Sequence, residues 1–182
     1  MSPTADLLSE LTRISSSIMR PTAVMLGLAL AVQAGVAGAD GWGLFVSHCA
    51  TCHQVTGKGV PGIYPPLAGS VGRYVAVSGG RAYLIHTVLN GMGGKIQVGS
   101  DTFEGDMASW SQLSDQEVAD VLNYVLTAFN TKLLPKSFKP ISAAEVKAGR
   151  AIRFSSAQLH AERDALLKVV QAQSVDPSHD SK

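Results

Sequence analysis

The only two cysteines of this chain stand three positions apart, with a histidine directly behind the second: Cys49-Ala50-Thr51-Cys52-His53. No other feature narrows the possible folds so far. Such a pair serves as a disulfide, part of a metal site, a redox dithiol, or a pair of covalent anchors. A disulfide across two residues closes a very short loop and gains little from it. Zinc needs further thiolates or imidazoles at suitable spacing. Beyond residue 53 the chain offers only His86, His160 and His179, in no paired spacing. A redox dithiol shares the C-x-x-C spacing but belongs after a hydrophobic strand. Here the residues ahead of the pair, Gly41 to His48, contain no β-branched run and place Phe45 on one helical face with His48 or Cys49.

The fifth position separates the readings. C-x-x-C-H is the attachment sequence of c-type haem: two thiols on one turn add to the two vinyl groups, and His53 reaches the iron from the same side. The motif therefore predicts one covalent haem c anchored by Cys49 and Cys52, with His53 as an iron ligand. A second axial ligand has two candidates, because only Met92 and Met107 lie beyond the motif. Met107 falls in Phe103-Glu104-Gly105-Asp106-Met107-Ala108, read as a loop between helical segments, and Met92 lies among glycines.

Composition sets the outer limits. With 46% hydrophobic and 16% charged residues in 182 positions, the chain buries one ordinary core and an appendage. A formal charge of +1 with no basic run excludes a phosphate-tracking surface, so nucleic acid is not an expected partner. Thr22 to Ala39 carries no charge, follows Arg20 and ends Ala37-Gly38-Ala39. This is the layout of a signal peptide over residues 1–39, cleaved before Asp40, with the true start at Met1 or Met19. It implies a periplasmic protein. An uncleaved membrane anchor is the alternative, at the lower edge of spanning length.

Three segments carry a resemblance. GWGLFVSHCATCH, YPPLAGS and MASWSQLSDQEVADVLNYVLTAF, between Gly41 and Phe129, resemble the N-terminal helix and haem motif, the proline-leucine loop, and the methionine loop with the C-terminal helix of class I monohaem cytochromes c of bacterial periplasms. Within that group, PPLAGS, GGKIQVGSDTFEGDM and LSDQEVADVLNYV are similar to modules working with periplasmic dehydrogenases or copper nitrite reductases. The resemblance implies an all-α, cytochrome c-like domain over 40–134 around one covalent haem. It also implies Met107 as sixth ligand, and an electron carrier rather than an enzyme, exchanging electrons with a periplasmic dehydrogenase, a copper nitrite reductase or a terminal oxidase. Ala108 stands where family members usually have proline.

Beside the resemblance, Pro65 and Pro66 favour an extended segment with outward carbonyls. Either the Pro65 carbonyl accepts the proton on the far ring nitrogen of His53, fixing its tautomer, or the prolines only turn the loop; Leu67 then packs on the haem edge. Ser114-Asp115-Gln116-Glu117 is a capping box opening a helix over 115–129. Arg81 to Leu89 reads as a further helix ended by Asn90-Gly91, with His86 on it as a surface or core residue rather than a ligand.

Residues 135–182 carry eight Lys and Arg against five Asp and Glu, the reverse of the slightly acidic 40–134. A second capping box at Ser142 opens a helix reaching roughly Phe154. Leu159, Leu166, Leu167 and Val170 mark another helix, and the final SVDPSHDSK reads as disordered. Two readings of this basic extension stand. Either it wraps on its own haem domain, or Lys147, Arg150, Arg153, Arg163 and Lys168 tether an acidic partner. Two other functions remain as alternatives, a haem enzyme or gas-binding site with an open sixth position, and an exported dithiol oxidoreductase.

Overall fold

The computed structural model describes residues 40–175; the expected signal peptide over 1–39 and residues 176–182 lie outside them, while Ser174 and Val175, read as part of a disordered end, close the last helix. Asp40 caps the first helix, α1 (Gly41–His48), by accepting from the Trp42 N–H at 3.1 Å. A change of direction at Cys49 separates it from the single turn α2 (Ala50–His53). The Cys49 carbonyl accepts from Cys52 and His53 at 3.2 and 2.9 Å, so the motif is wound on one helical turn. A loop and a 3₁₀ segment, Val71–Ala76, lead to α3 (Gly80–Asn90).

The chain then forms a β-hairpin, β1 (Met92–Val98) antiparallel to β2 (Asp101–Met107), where the sequence suggests a loop. Phe103, 4% exposed, and its cross-strand neighbour Ile96 give the hairpin an apolar pair to pack, which outweighs its glycines. Gly91, at φ 71°, makes the corner: a Cβ there would stand 2.4 Å from the Met107 carbonyl oxygen and 2.8 Å from the Ser109 nitrogen.

The helix α4 (Asp115–Phe129) opens on the expected capping box and buries Val118, Val121, Leu122 and Val125 along one stripe. It crosses α1, where Phe45 and Tyr124 meet with ring centroids 5.5 Å apart. The resulting domain is helix-rich and cytochrome c-like, with the hairpin as its one sheet element among the described residues.

The extension wraps on this domain. Asn123 bonds both backbone groups of Ile141, at 2.8 and 2.7 Å. Helix α5 (Ala143–Gly149) is opened by the Ser142 capping box, and Arg81 binds Glu145 with two nitrogens at 2.7 and 2.9 Å. It stops at Gly149, earlier than the Phe154 expected. Arg150 is drawn to Asp115 at 2.5 Å and to the Ser111 carbonyl at 2.7 Å. Phe154 stacks on His86 and gives its N–H to Asn90.

The last helix, α6 (Ser156–Val175), contains the marked leucines and packs on α3, the hairpin and the 3₁₀ segment. Val146 and Leu159 are as fully buried as Phe45, Ile85 and Leu126, and Ile141, Val146 and Leu166 join the same apolar cluster, so the extension is part of the core. This corrects the tether reading for two of its five cations: Arg150 is spent on the 111–115 turn, and Arg163 is 6% exposed.

Candidate functional site

A cleft opens between the C-x-x-C-H turn and the hairpin, in two adjoining parts with empty volumes of about 1030 and 830 Å³. Cys49, His53 and Pro65 line both parts on one side; Met92, Ile96 and Met107 line both on the other. Leu67 from the proline loop and Leu84, Val121 and Val125 from the helices complete the apolar wall of the larger part. Pockets for flat organic cofactors have this character, apolar walls with a few placed polar groups.

His53 is buried, and its Nδ1 lies 2.8 Å from the Pro65 carbonyl oxygen. A carbonyl only accepts, so Nδ1 carries the proton and donates it, leaving Nε2 with a free lone pair. Burial pulls the imidazole below its ordinary pKa, the Pro65 bond opposing, so the ring is neutral at pH 7. That is the form a metal ligand takes. Of the two readings of the proline loop, the geometry is that of the acceptor.

The loop is held by short-range contacts. The Gly57 carbonyl accepts from Leu67 and Ala68 at 2.8 and 2.9 Å, and the Gly59 N–H donates to the His53 carbonyl at 2.9 Å. Gly59, at φ 66°, permits this approach, since a Cβ there would lie 2.2 Å from the Tyr64 carbonyl oxygen. Asn130, 2% exposed, is a residue that sequence reasoning missed. Its amide donates to the Leu67 and Val125 carbonyls at 3.1 and 3.0 Å and accepts from the Gly72 N–H at 3.0 Å, fastening the loop to the end of α4. The available signal was an asparagine at the close of a strongly marked helix.

The two sulfurs are not joined to each other, and burial, reinforced by the neighbouring Cys52, pushes the Cys49 thiol up to about 11. A dithiol oxidoreductase needs the opposite shift, toward a thiolate.

Met107 ends β2 and Met92 begins β1, directly across the strands from one another. The site thus brings both methionines to the wall facing His53, on a strand pair rather than a loop. Beyond Met107 the chain is fixed by Ser109 Oγ, which donates to the Leu89 carbonyl at 2.6 Å, and by the Trp110 N–H, which donates to that of Val88 at 2.9 Å; beside Met92, Gly93 is held by Ser156 and His160. His86 lies away from the cleft, with Nδ1 3.2 Å from both Glu162 carboxylate oxygens.

The residues present suit a haem. Two thiols and a neutral imidazole stand on one turn at the mouth of an apolar cleft, with thioethers on its far wall.

The sequence model of the family described as cytochrome c matches residues 38–129. The chain is 45% identical over 131 residues to a cytochrome c-552 of Thermus thermophilus, covering 72% of this chain and 88% of that protein. A second cytochrome c-552 of Thermus thermophilus is 45% identical over 128 residues, 70% of this chain and 97% of its own length. The cytochrome c subunit of a quinone alcohol dehydrogenase from Gluconacetobacter polyoxogenes is 34% identical over 107 residues, 58% of this chain and 21% of that subunit.

Proposed function

Since this chain belongs to the cytochrome c family and carries one covalent haem c for electron transfer, we propose that His53 and Met107 are its two iron ligands and that it works in the periplasm. The haem, when bound, takes up and releases one electron at its iron without making or breaking a substrate bond. Everything else is the work of the chain. Cys49 and Cys52 anchor the group so that it cannot leave an exported protein. His53 presents Nε2, oriented from behind by the Pro65 carbonyl. Met107 would hold the iron through a soft thioether, a ligand that favours the reduced state. Leu67 and the helix stripes exclude water.

The observation that carries this reading is the 2.8 Å bond from His53 Nδ1 to Pro65, which commits the other ring nitrogen to the cleft that the methionines face. Export rests on the charge-free segment before Asp40. The likeness to a dehydrogenase subunit supports a periplasmic dehydrogenase as electron donor, with a copper nitrite reductase or terminal oxidase as acceptor. Contact would be apolar: Ile63 and Tyr64, on the rim of the smaller cleft, are 54% and 38% exposed. Such brief encounters need only a small interface.

Met107→Ala is expected to abolish the weak red-edge band of ferric His/Met haem and to admit carbon monoxide, while Met92→Ala leaves both unchanged. The reverse pattern moves the ligand to Met92. The intact mass of the secreted protein tests the rest: it should equal the chain from Asp40 plus one haem.

A further inference from the structure

The larger part of the cleft is not apolar throughout. Its wall also includes Tyr74, Tyr83 and Arg163, which cluster together: the two rings lie 5.1 Å apart and Tyr74 is hydrogen-bonded to Arg163. Arg163 comes from the middle of α6, beyond the residues matched by the family model. It is 6% exposed, yet none of the four ion pairs among the described residues includes it. One guanidinium nitrogen donates to the Gln97 carbonyl on the hairpin, and the Tyr74 phenol lies against the same group. The remaining N–H donors have no described acceptor.

The charged neighbours do not supply a counter-ion. Glu162, on the same helix, has both oxygens on His86, Asp164 is exposed, and Arg73, also on the cleft wall, is a second cation. Burial pushes Tyr83 up to about 12 and raises Tyr74, so both phenols stay neutral O–H donors. A buried charge without an opposite partner costs several kcal/mol. The cleft wall here therefore has two cations, two phenols and no carboxylate. The group that enters the cleft must bring one.

We propose that Arg163, with Tyr74 beside it, binds one of the two carboxylates of the haem, so that the C-terminal extension supplies part of the cofactor site. The inference rests on the haem reading above. It assigns α6 a role in setting the charge around the haem as well as in packing, because a carboxylate held by a buried guanidinium stays ionised and is partly neutralised.

The test uses the full holoprotein carrying haem labelled with ¹³C at its carboxylates, followed by redox-difference infrared spectroscopy across pH. One labelled carboxylate of the wild type should stay ionised in the acid range where the other protonates. Arg163→Gln should bring the retained carboxylate's titration up toward that of the other. It should also lower the midpoint potential at neutral pH, because a positive charge near the iron has gone, and steepen the potential's dependence on pH. Arg163→Lys should restore most of each effect. Ser156→Ala removes another link from α6 to the hairpin, the 3.0 Å bond to the Gly93 N–H, and should move neither titration nor potential.

The proposal is overturned if both wild-type carboxylates titrate together as exposed acids. It is also overturned if Arg163→Gln lowers only the thermal midpoint, as Ser156→Ala would. Should Arg163→Gln fail to fold, the wild-type titration and Arg163→Lys decide. A purified wild-type protein without haem absorbance would instead overturn the haem reading, before any variant is made.

Discussion

The two walls of the cleft are built in different ways. The bond that orients the histidine is local: His53 reaches Pro65 across 12 positions, the turn between them is held by its own backbone and one glycine, and a single long-range side chain, Asn130, ties the end of the loop to α4. The methionine wall is a hairpin whose supports come from far along the chain. Ser156 and His160 bond Gly93 across 63 and 67 positions, and Arg163 bonds Gln97 across 66. One side of the site is thus specified by a motif, and the other by a tertiary contact that no short motif records. The histidine side needs only the haem domain itself, with Asn130 as its long-range tie, whereas the methionine side depends on the extension.

Truncation after Lys132 tests that dependence most severely. It removes Ile141, Val146, Leu159 and Leu166 from the core. Each buried aliphatic side chain is worth about 1.5–3 kcal/mol, so the sum approaches the whole net stability of a domain, ~5–15 kcal/mol. Loss of cooperative thermal unfolding in the truncated holoprotein is expected; an unchanged melting curve would make the extension an ornament.

Asn130→Ala probes the histidine wall. It orphans the buried Gly72 N–H, at about 1–3 kcal/mol, while the Leu67 carbonyl keeps Ser70 and Val71 as donors. Chemical denaturation should show that loss.

A smaller effect is expected for His160→Ala, which deletes the 2.9 Å bond to the Gly93 carbonyl. A loss of ~0.5–1.5 kcal/mol should appear as faster amide exchange in the hairpin, with the proline loop unaffected. Equal acceleration in both walls would erase the contrast between them.

Acid should produce the smallest change. Arg81, chiefly, holds Glu145 down at about 2 against an ordinary 4.5. Its folded pKa being depressed, its stabilisation is complete above the unfolded value and is lost as pH falls from about 4.5 through about 2. The pair is partly exposed, so the loss is under ~1 kcal/mol. Arg81→Met should flatten that limb of a plot of melting temperature against pH.

Much of this was legible in the residues. The C-x-x-C-H turn, the capping boxes at Ser114 and Ser142 and the stripe of α4 are local signals, and each appears where its spacing places it. The hairpin was hidden because Gly93, Gly94 and Gly105 suggest a loop, and its stability comes from Phe103 and α6 rather than from strand propensity. The early end of α5 and the burial of Arg163 were hidden for a related reason, since charged residues on a periodic stretch look like a solvated face until their partners are known.

The span of those clamp contacts also orders assembly. Closing a loop costs more entropy the longer it is, and folding slows as contacts lie further apart in the chain. The turn bearing Cys49 and Cys52 completes itself within a dozen residues, while its lid waits for a helix more than 60 positions downstream. A nascent chain arranged in this way presents its thiols on a formed turn before the hairpin is pinned over them. The machinery that attaches the cofactor would meet an open groove, and the last helix to arrive would shut it.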